Sequence, residues 1–320
     1  MKRILAFVLI IMLILSGCSN SKERQLERSQ LLAVGDSICT WGEAQVFILT
    51  QNTTYGETYG QEIWSVSLGN ESFGTYIRGA LLEYLKLLLL ADYGARQKGY
   101  TLSEAEYRSI QQAAETLYGE LGDNAGRLGI LKEDVKNAYT HYAMAQMFYR
   151  QTMTDAQLEV SDEEARVISV RIISSPLEQG YEQAESLARL LNEGHAATEL
   201  GRSSEGVSIR DENLIRGKYS KDFDTLVFSL KNGQFSPVIQ EGDAYLIVQC
   251  LSSFLAAETQ VRKAEMEQAI REETLTQALT KYLPEASILY NPTLWEGWTM
   301  ESYHGAPAID FFRYVEELYK

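Results

Sequence analysis

Three groups of residues in this 320-residue chain have types and spacings that could support chemistry. Gly35-Asp36-Ser37 follows the apolar run Leu31 to Val34, which places Ser37 where a nucleophilic serine would stand, and such a serine needs a histidine base oriented by a carboxylate. The Asp-x-x-His that would supply this base is missing, because Ala138, Asn192 and Glu301 stand three residues before His141, His195 and His304. A Gly-x-Asn-Asp oxyanion block is missing as well, so Gly35-Asp36-Ser37 is read as a hairpin turn. The second group is three Cys and three His with no C-x-x-C among them; no common zinc or iron–sulfur spacing can be assembled, and neither metal nor cofactor is expected. Without partners at ligand spacing, the three His are expected to be surface or partly buried residues and none to be catalytic.

The third group is Cys18 and what precedes it. Lys2 and Arg3 lead into the apolar run Ile4 to Leu15, too short to span a bilayer comfortably as a helix, and Leu15-Ser16-Gly17-Cys18 follows. That tetrad resembles a bacterial lipobox, which implies cleavage before Cys18, lipidation of its sulfur and stable anchoring through two acyl chains. The expected location is the extracytoplasmic face of the cell membrane. Residues 18–30 carry no periodic apolar face and are read as a tether reaching at most ~40 Å. With 29 Lys plus Arg against 44 Asp plus Glu, the formal charge of -15 argues against nucleic acid as a partner. Cys39 and Cys250 form an even pair in an exported chain, and a disulfide and two buried free thiols both stay open.

The elements that must position such groups fall into an α+β pattern. Before residue 160 the pattern is mostly helical: a hairpin over 31–39, a helix to about Gln51 opened by a Thr40/Glu43 capping box, and a helix over 74–98 with Ile77, Leu81, Leu85, Leu88 and Ala91 on one face. A Thr101/Glu104 box opens a further helix to about Leu121, and Lys132 to Met153 is another amphipathic stretch. From residue 160 the composition changes. Val167 to Ile173 is a β-branched run, followed by helices over 178–191 and 196–200, an irregular stretch, a helix over 220–230, a turn at Asn232-Gly233 and the strand Tyr245 to Leu251. The chain then returns through a charged helix from Ala257 to Leu283, an extended piece from Ile288 to Trp298, and a last amphipathic helix marked by Ile309, Phe312, Val315 and Leu318.

Val34 to Thr40 with its following helix, Leu81 to Leu90, and Gly99 to Glu106 resemble the N-terminal chaperone region of the SurA and PrsA foldases. Arg216-Gly217-Lys218-Tyr219 through Phe223, Phe228 to Val238 and Ala244 to Val248 resemble a parvulin domain. The resemblance covers most of residues 31–298 and implies a signal peptide over 1–17, the tether, a chaperone domain over 31–159, a parvulin-like insert over 160–254, and a return of 255–320 to the chaperone domain. It further implies a foldase that binds unfolded or nascent exported polypeptides. Parvulins place a His at the end of the first strand, a Cys or Asp near the middle, a Met and a Phe on the third helix and a second His in the last strand. On this resemblance Arg171, Tyr219 and Leu246 replace the first His, the Met and the second His, and Phe223 is retained, so a degenerate peptidyl-prolyl isomerase is expected. An active isomerase is the alternative, and a solute-binding or structural lipoprotein the third reading.

Overall fold

The computed structural model describes residues 25–156 and 158–319. The apolar run before Cys18, Cys18 itself and the first part of the tether lie outside the described residues. Among the described residues no helix is long and apolar enough to cross a membrane. The fold is α+β, and the chain divides into two compact units, one from residues 1–157 and 272–320, the other from 158–271.

In unit 1, β1 (Gln30–Val34) and β2 (Ser37–Thr40) pair antiparallel about Gly35-Asp36. Gly35 has φ +57 and a side chain there would run into the Tyr93 ring, so both conformation and space call for glycine. Helix α1 (Trp41–Gln51) follows at once, with Thr40 Oγ1 accepting from the Glu43 N–H at 3.1 Å. Only this half of the expected capping box forms, because the Glu43 carboxylate is engaged elsewhere. A two-stranded hairpin, β3 (Ser67–Leu68) and β4 (Glu71–Ser72), leads into α2 (Phe73–Gln97). Helix α3 (Glu104–Leu121) starts two residues later than expected: Ser103, not Thr101, is its N-cap, and the reciprocal partner is Glu106. Leu102 is buried, which holds the chain in the core before the helix begins. Next come α4 (Asn124–Leu128) and α5 (Lys132–Asp155).

Unit 2 is a four-stranded antiparallel sheet in the order β6-β5-β8-β7, from β5 (Ile168–Pro176), β6 (Ser208–Leu214), β7 (Ile239–Glu241) and β8 (Ala244–Ser252). Helices α6 (Tyr181–Asn192), α7 (Ala197–Ser203) and α8 (Lys221–Val227) accompany it. The stretch expected to be irregular ends in strand β6. Its Ser-Ile-Arg-Asp-Glu-Asn-Leu sequence hides the strand because this is an edge with mostly exposed side chains.

Helix α9 (Ala256–Thr280) crosses the division at residues 271 and 272, whereas the sequence suggests a break at 254/255. Its first half belongs to unit 2: the Val167 N–H donates to Thr259 Oγ1 at 3.1 Å, and Lys263 pairs with Asp162 at 2.9 Å. Beyond α9, β9 (Ile288–Tyr290) joins unit 1 as the outer partner of β1. The expected extended piece stops there. Asn291 caps a short helix α10 (Pro292–Glu296), with Pro292 in its first turn where proline costs nothing. The last segment, Phe311–Tyr319, is a 3-10 helix rather than an α-helix, which fits the spacing of three between Ile309, Phe312, Val315 and Leu318. Phe311 is wholly buried, stacked on Tyr139 at 4.3 Å, and its carbonyl accepts from the Tyr139 hydroxyl at 3.0 Å.

Candidate functional site

The sheet of unit 2 decides which of the four sequence-derived residues can meet. Along β5 and β8, Ile172 faces Val248 and Ser174 faces Leu246, while Arg171 faces Gln249 on one side and Asp211 of β6 on the other. Side chains alternate between the two faces of a strand. Ile168, Val170, Ile172, Leu246, Val248 and Cys250 share one core with Phe223 and Val227 of α8, and half-buried Tyr219 packs against it. Ile173 and Ile247 share the other core with Leu187, Leu191, Ala197 and Leu200.

Tyr219, Phe223 and Leu246 are therefore brought together, and Arg171 is not. One residue of register puts Arg171 on the opposite face, where its guanidinium grips Asp211 through two hydrogen bonds of 2.7 and 2.8 Å. Those bonds hold the Asp211 carboxyl below its ordinary range. The β5 residues that share a core with Phe223 are Ile168, Val170 and Ile172.

Around Phe223 the space is filled. Phe223 is wholly buried and Leu246 is 4% exposed. The Tyr219 ring stacks on Phe223 at 4.3 Å and 30°, and its hydroxyl donates to Glu212 Oε1 at 2.8 Å while accepting from Arg210 at 2.9 Å. Against the pull of burial, hydrogen bonds from Lys218 and Tyr219 hold the Glu212 carboxyl below its ordinary range. The loop that carries Tyr219 is tied at both ends. Asp224 accepts from the Gly217 N–H at 2.6 Å, and Ser220, which caps α8, binds Glu241 through its N–H at 2.9 Å and its hydroxyl at 2.6 Å. Cys250 lies in the same core as a buried free thiol pushed up by burial. Among the described residues no imidazole lines this face; its polar groups are Tyr219, Arg210 and Glu212, the last two paired with Ile172 and Val170 across the sheet, and they are hydrogen-bonded to one another.

Unit 1 holds a polar cluster that the sequence reading missed. Glu43 of α1 is wholly buried, and its Oε1 lies 2.8 Å from Nδ1 of His141 on α5. His141 is 7% exposed, not a surface or loosely buried residue. On α2, buried Asp92 accepts from the Ser37 hydroxyl and, at 2.9 Å, from Arg96. Asp134 of α5 accepts from the Thr40 hydroxyl at 2.6 Å and from the Leu131 N–H at 2.7 Å, so it links the starts of two helices. Burial pushes the Glu43 carboxyl up. The same burial would lower His141, but Glu43 outweighs it and His141 is raised. Buried, free Cys39 sits within reach of these charges, and its thiol is raised well above the usual value, by burial first. Ser37 is buried and bound to a carboxylate instead of an imidazole, which agrees with its role as a turn residue. No group of three or more His, Cys, Asp or Glu among the described residues is arranged to hold a metal ion.

No family model matches the chain, and no curated protein matches it. Among solved structures it is similar to the foldase protein PrsA of Lactococcus lactis, at 13% identity over 84% of this chain and 98% of that one, with a TM-score of 0.32. It is similar to the peptidylprolyl isomerase PrsA of Bacillus anthracis at 17% identity over 62% of this chain and 96% of that one, TM-score 0.25. A structure described among two related SurA-like chaperones of Campylobacter jejuni is similar at 13% identity over 82% of this chain and 99% of that one, TM-score 0.25. The structural neighbours of this chain are PrsA and SurA-like foldases.

Proposed function

We propose that the chain is an extracytoplasmic foldase, held to a membrane through lipidated Cys18, that shields unfolded exported polypeptides and whose parvulin-like unit has lost isomerase chemistry. The observation that carries the second half is the filled face around Phe223. An isomerase must hold a proline ring and surround the twisted amide with preorganised polar groups, because only interactions stronger in the transition state accelerate the reaction. Here Phe223 is wholly buried under Tyr219 in a core that holds Ile172, Val248 and Leu246, and the nearby polar groups Arg210 and Glu212 are taken up by the Tyr219 hydroxyl. The shielding role is supported by the sequence patterns of the chaperone region and by an acidic surface that keeps the body in solution near an anionic bilayer.

The test follows the cis/trans relaxation of a proline peptide with the full chain present. Relaxation at the uncatalysed rate, tens to hundreds of seconds, is the expected result. Robust catalysis that Phe223→Ala abolishes would make the chain an active isomerase instead. Fatty-acid labelling in the native host tests the anchor: label is expected on the wild type and lost with Cys18→Ser, and an unlabelled wild type would refute it.

A further inference from the structure

Residues 55–76 of unit 1 build an aromatic floor under an exposed ridge. Tyr55 meets Trp64 edge-on at 6.2 Å and Phe73 edge-on at 5.2 Å, and Trp64 stacks on Phe73 at 5.8 Å. Gly74 permits this closeness, since a side chain there would stand 3.0 Å from the Trp64 carbonyl oxygen. Every residue from Ser65 to Glu71 is exposed, including Val66 and Leu68 at 47% each, and Tyr59 is 67% exposed. Large apolar side chains gathered on a rigid base mark a contact surface more often than scattered ones do. The β3–β4 hairpin on this ridge is two-stranded, and among the described residues no further strand pairs with it. Its edges offer backbone groups that an extended chain can pair with.

The charge around this ridge has one sign. Glu57, Glu62 and Glu71 are exposed, and Glu301 is contributed by the 3-10 turn Met300–Tyr303, which packs against Gln61–Ser65. No Lys or Arg occurs between Arg28 and Arg78, and Arg78 donates to the Trp298 carbonyl at 3.0 Å. A second copy of this chain would bring the same acidic ridge and a formal charge of -15, and an anionic lipid surface would likewise be repelled. We infer that the ridge over residues 57–71, with Glu301, docks extended polypeptide segments that are both apolar and cationic. This rests on the foldase reading and narrows its clients to chains in which Lys or Arg alternates with large apolar residues. Apolar contact supplies the grip, and the carboxylates supply selection and a faster encounter.

The test uses the full chain and three fluorescent peptides of equal length, in which Val and Phe alternate with Lys, Ser or Glu. Anisotropy should rank binding Lys over Ser over Glu, with the Lys peptide weakening as salt rises. A Glu57→Gln, Glu62→Gln, Glu71→Gln variant should lose about tenfold for the Lys peptide, from three exposed charge contacts, and little for the Ser peptide. Tyr59→Ser with Leu68→Ser should weaken both. Equal binding of the Lys and Glu peptides, or an unchanged triple variant, would overturn the proposal. So would a dimer that Tyr59→Ser with Leu68→Ser dissolves, which would assign the ridge to a second copy, or binding to anionic vesicles through it. Aggregation of an unfolded client is measured alongside. Suppression that persists while the peptide ranking fails sinks only this site, whereas loss of suppression by the wild type sinks the foldase reading itself.

Discussion

In unit 1 the core encloses ionisable groups: Glu43 against His141, Asp92 between Ser37 and Arg96, and Asp134 bridging Thr40 to the start of α5. In unit 2 the core that carries Phe223 and Leu246 is aliphatic and aromatic; Lys218 pairs with half-buried Glu212 at its edge, and Arg171 pairs with Asp211 on the opposite face of the sheet. The difference shows where each unit draws its specificity. Unit 1 must bring together segments far apart in the chain, and a buried pair that must be satisfied in one arrangement selects it. Unit 2 packs its rings locally, with Tyr219 stacked on Phe223 and its hydroxyl held by Arg210 and Glu212.

The largest expected effect comes from leaving one buried charge alone. His141→Leu should destabilise unit 1 by about 3–5 kcal/mol, and joining it with Glu43→Leu should recover much of the loss, since a buried pair replaced by apolar groups is often neutral. All four Trp (41, 64, 295 and 298) lie in unit 1, so Trp fluorescence during urea unfolding reads this unit alone. A double variant no better than His141→Leu would break the account of the pair. Phe223→Ala should cost unit 2 a similar amount, about 3–5 kcal/mol, by opening a cavity under Tyr219. Hydrogen exchange of β5 and β8 should accelerate while the Trp transition stays in place.

Acid and alkali should separate the units. Glu43 and His141 both have raised pKa values when folded, so the stability they confer is complete below their unfolded values and is lost as pH rises through the folded ones. The Trp transition of unit 1 should therefore fall as pH rises above the ordinary histidine value of about 6.5, and His141→Gln should flatten that slope. Asp211 and Glu212 in unit 2 are lowered, so their contribution is present above about pH 4 and is lost as pH falls further. The smallest effect belongs to Arg171→Ala. Its pair with Asp211 is half exposed, and a loss of about 1 kcal/mol or less is expected in the exchange of β5.

Much of the frame is legible from local pattern. Gly35-Asp36 between apolar runs marks the first hairpin, and the 3.6-residue spacing from Ile77 to Ala91 marks α2. What local pattern does not carry is contact across the chain. Glu43 and His141 are 98 residues apart, and α1 is buried on nearly every side, so reading one apolar face for it turns Glu43 outward. The resemblance puts Arg171 at a pocket position, but neighbouring residues of a strand face opposite ways, and which face Arg171 takes is set by pairing with β6 and β8 across the chain. Thr101 and Ser103 both stand three residues before a glutamate, and buried Leu102 between them decides for Ser103.

The central claim is that this chain shields unfolded polypeptides without isomerising them. Light scattering from a heat-unfolded client that contains no proline, with the full chain added at equal concentration, tests it most directly. Aggregation should be suppressed, because nothing in that client requires an isomerase. Undiminished aggregation of the proline-free client, with protection confined to clients that contain proline, would contradict the account.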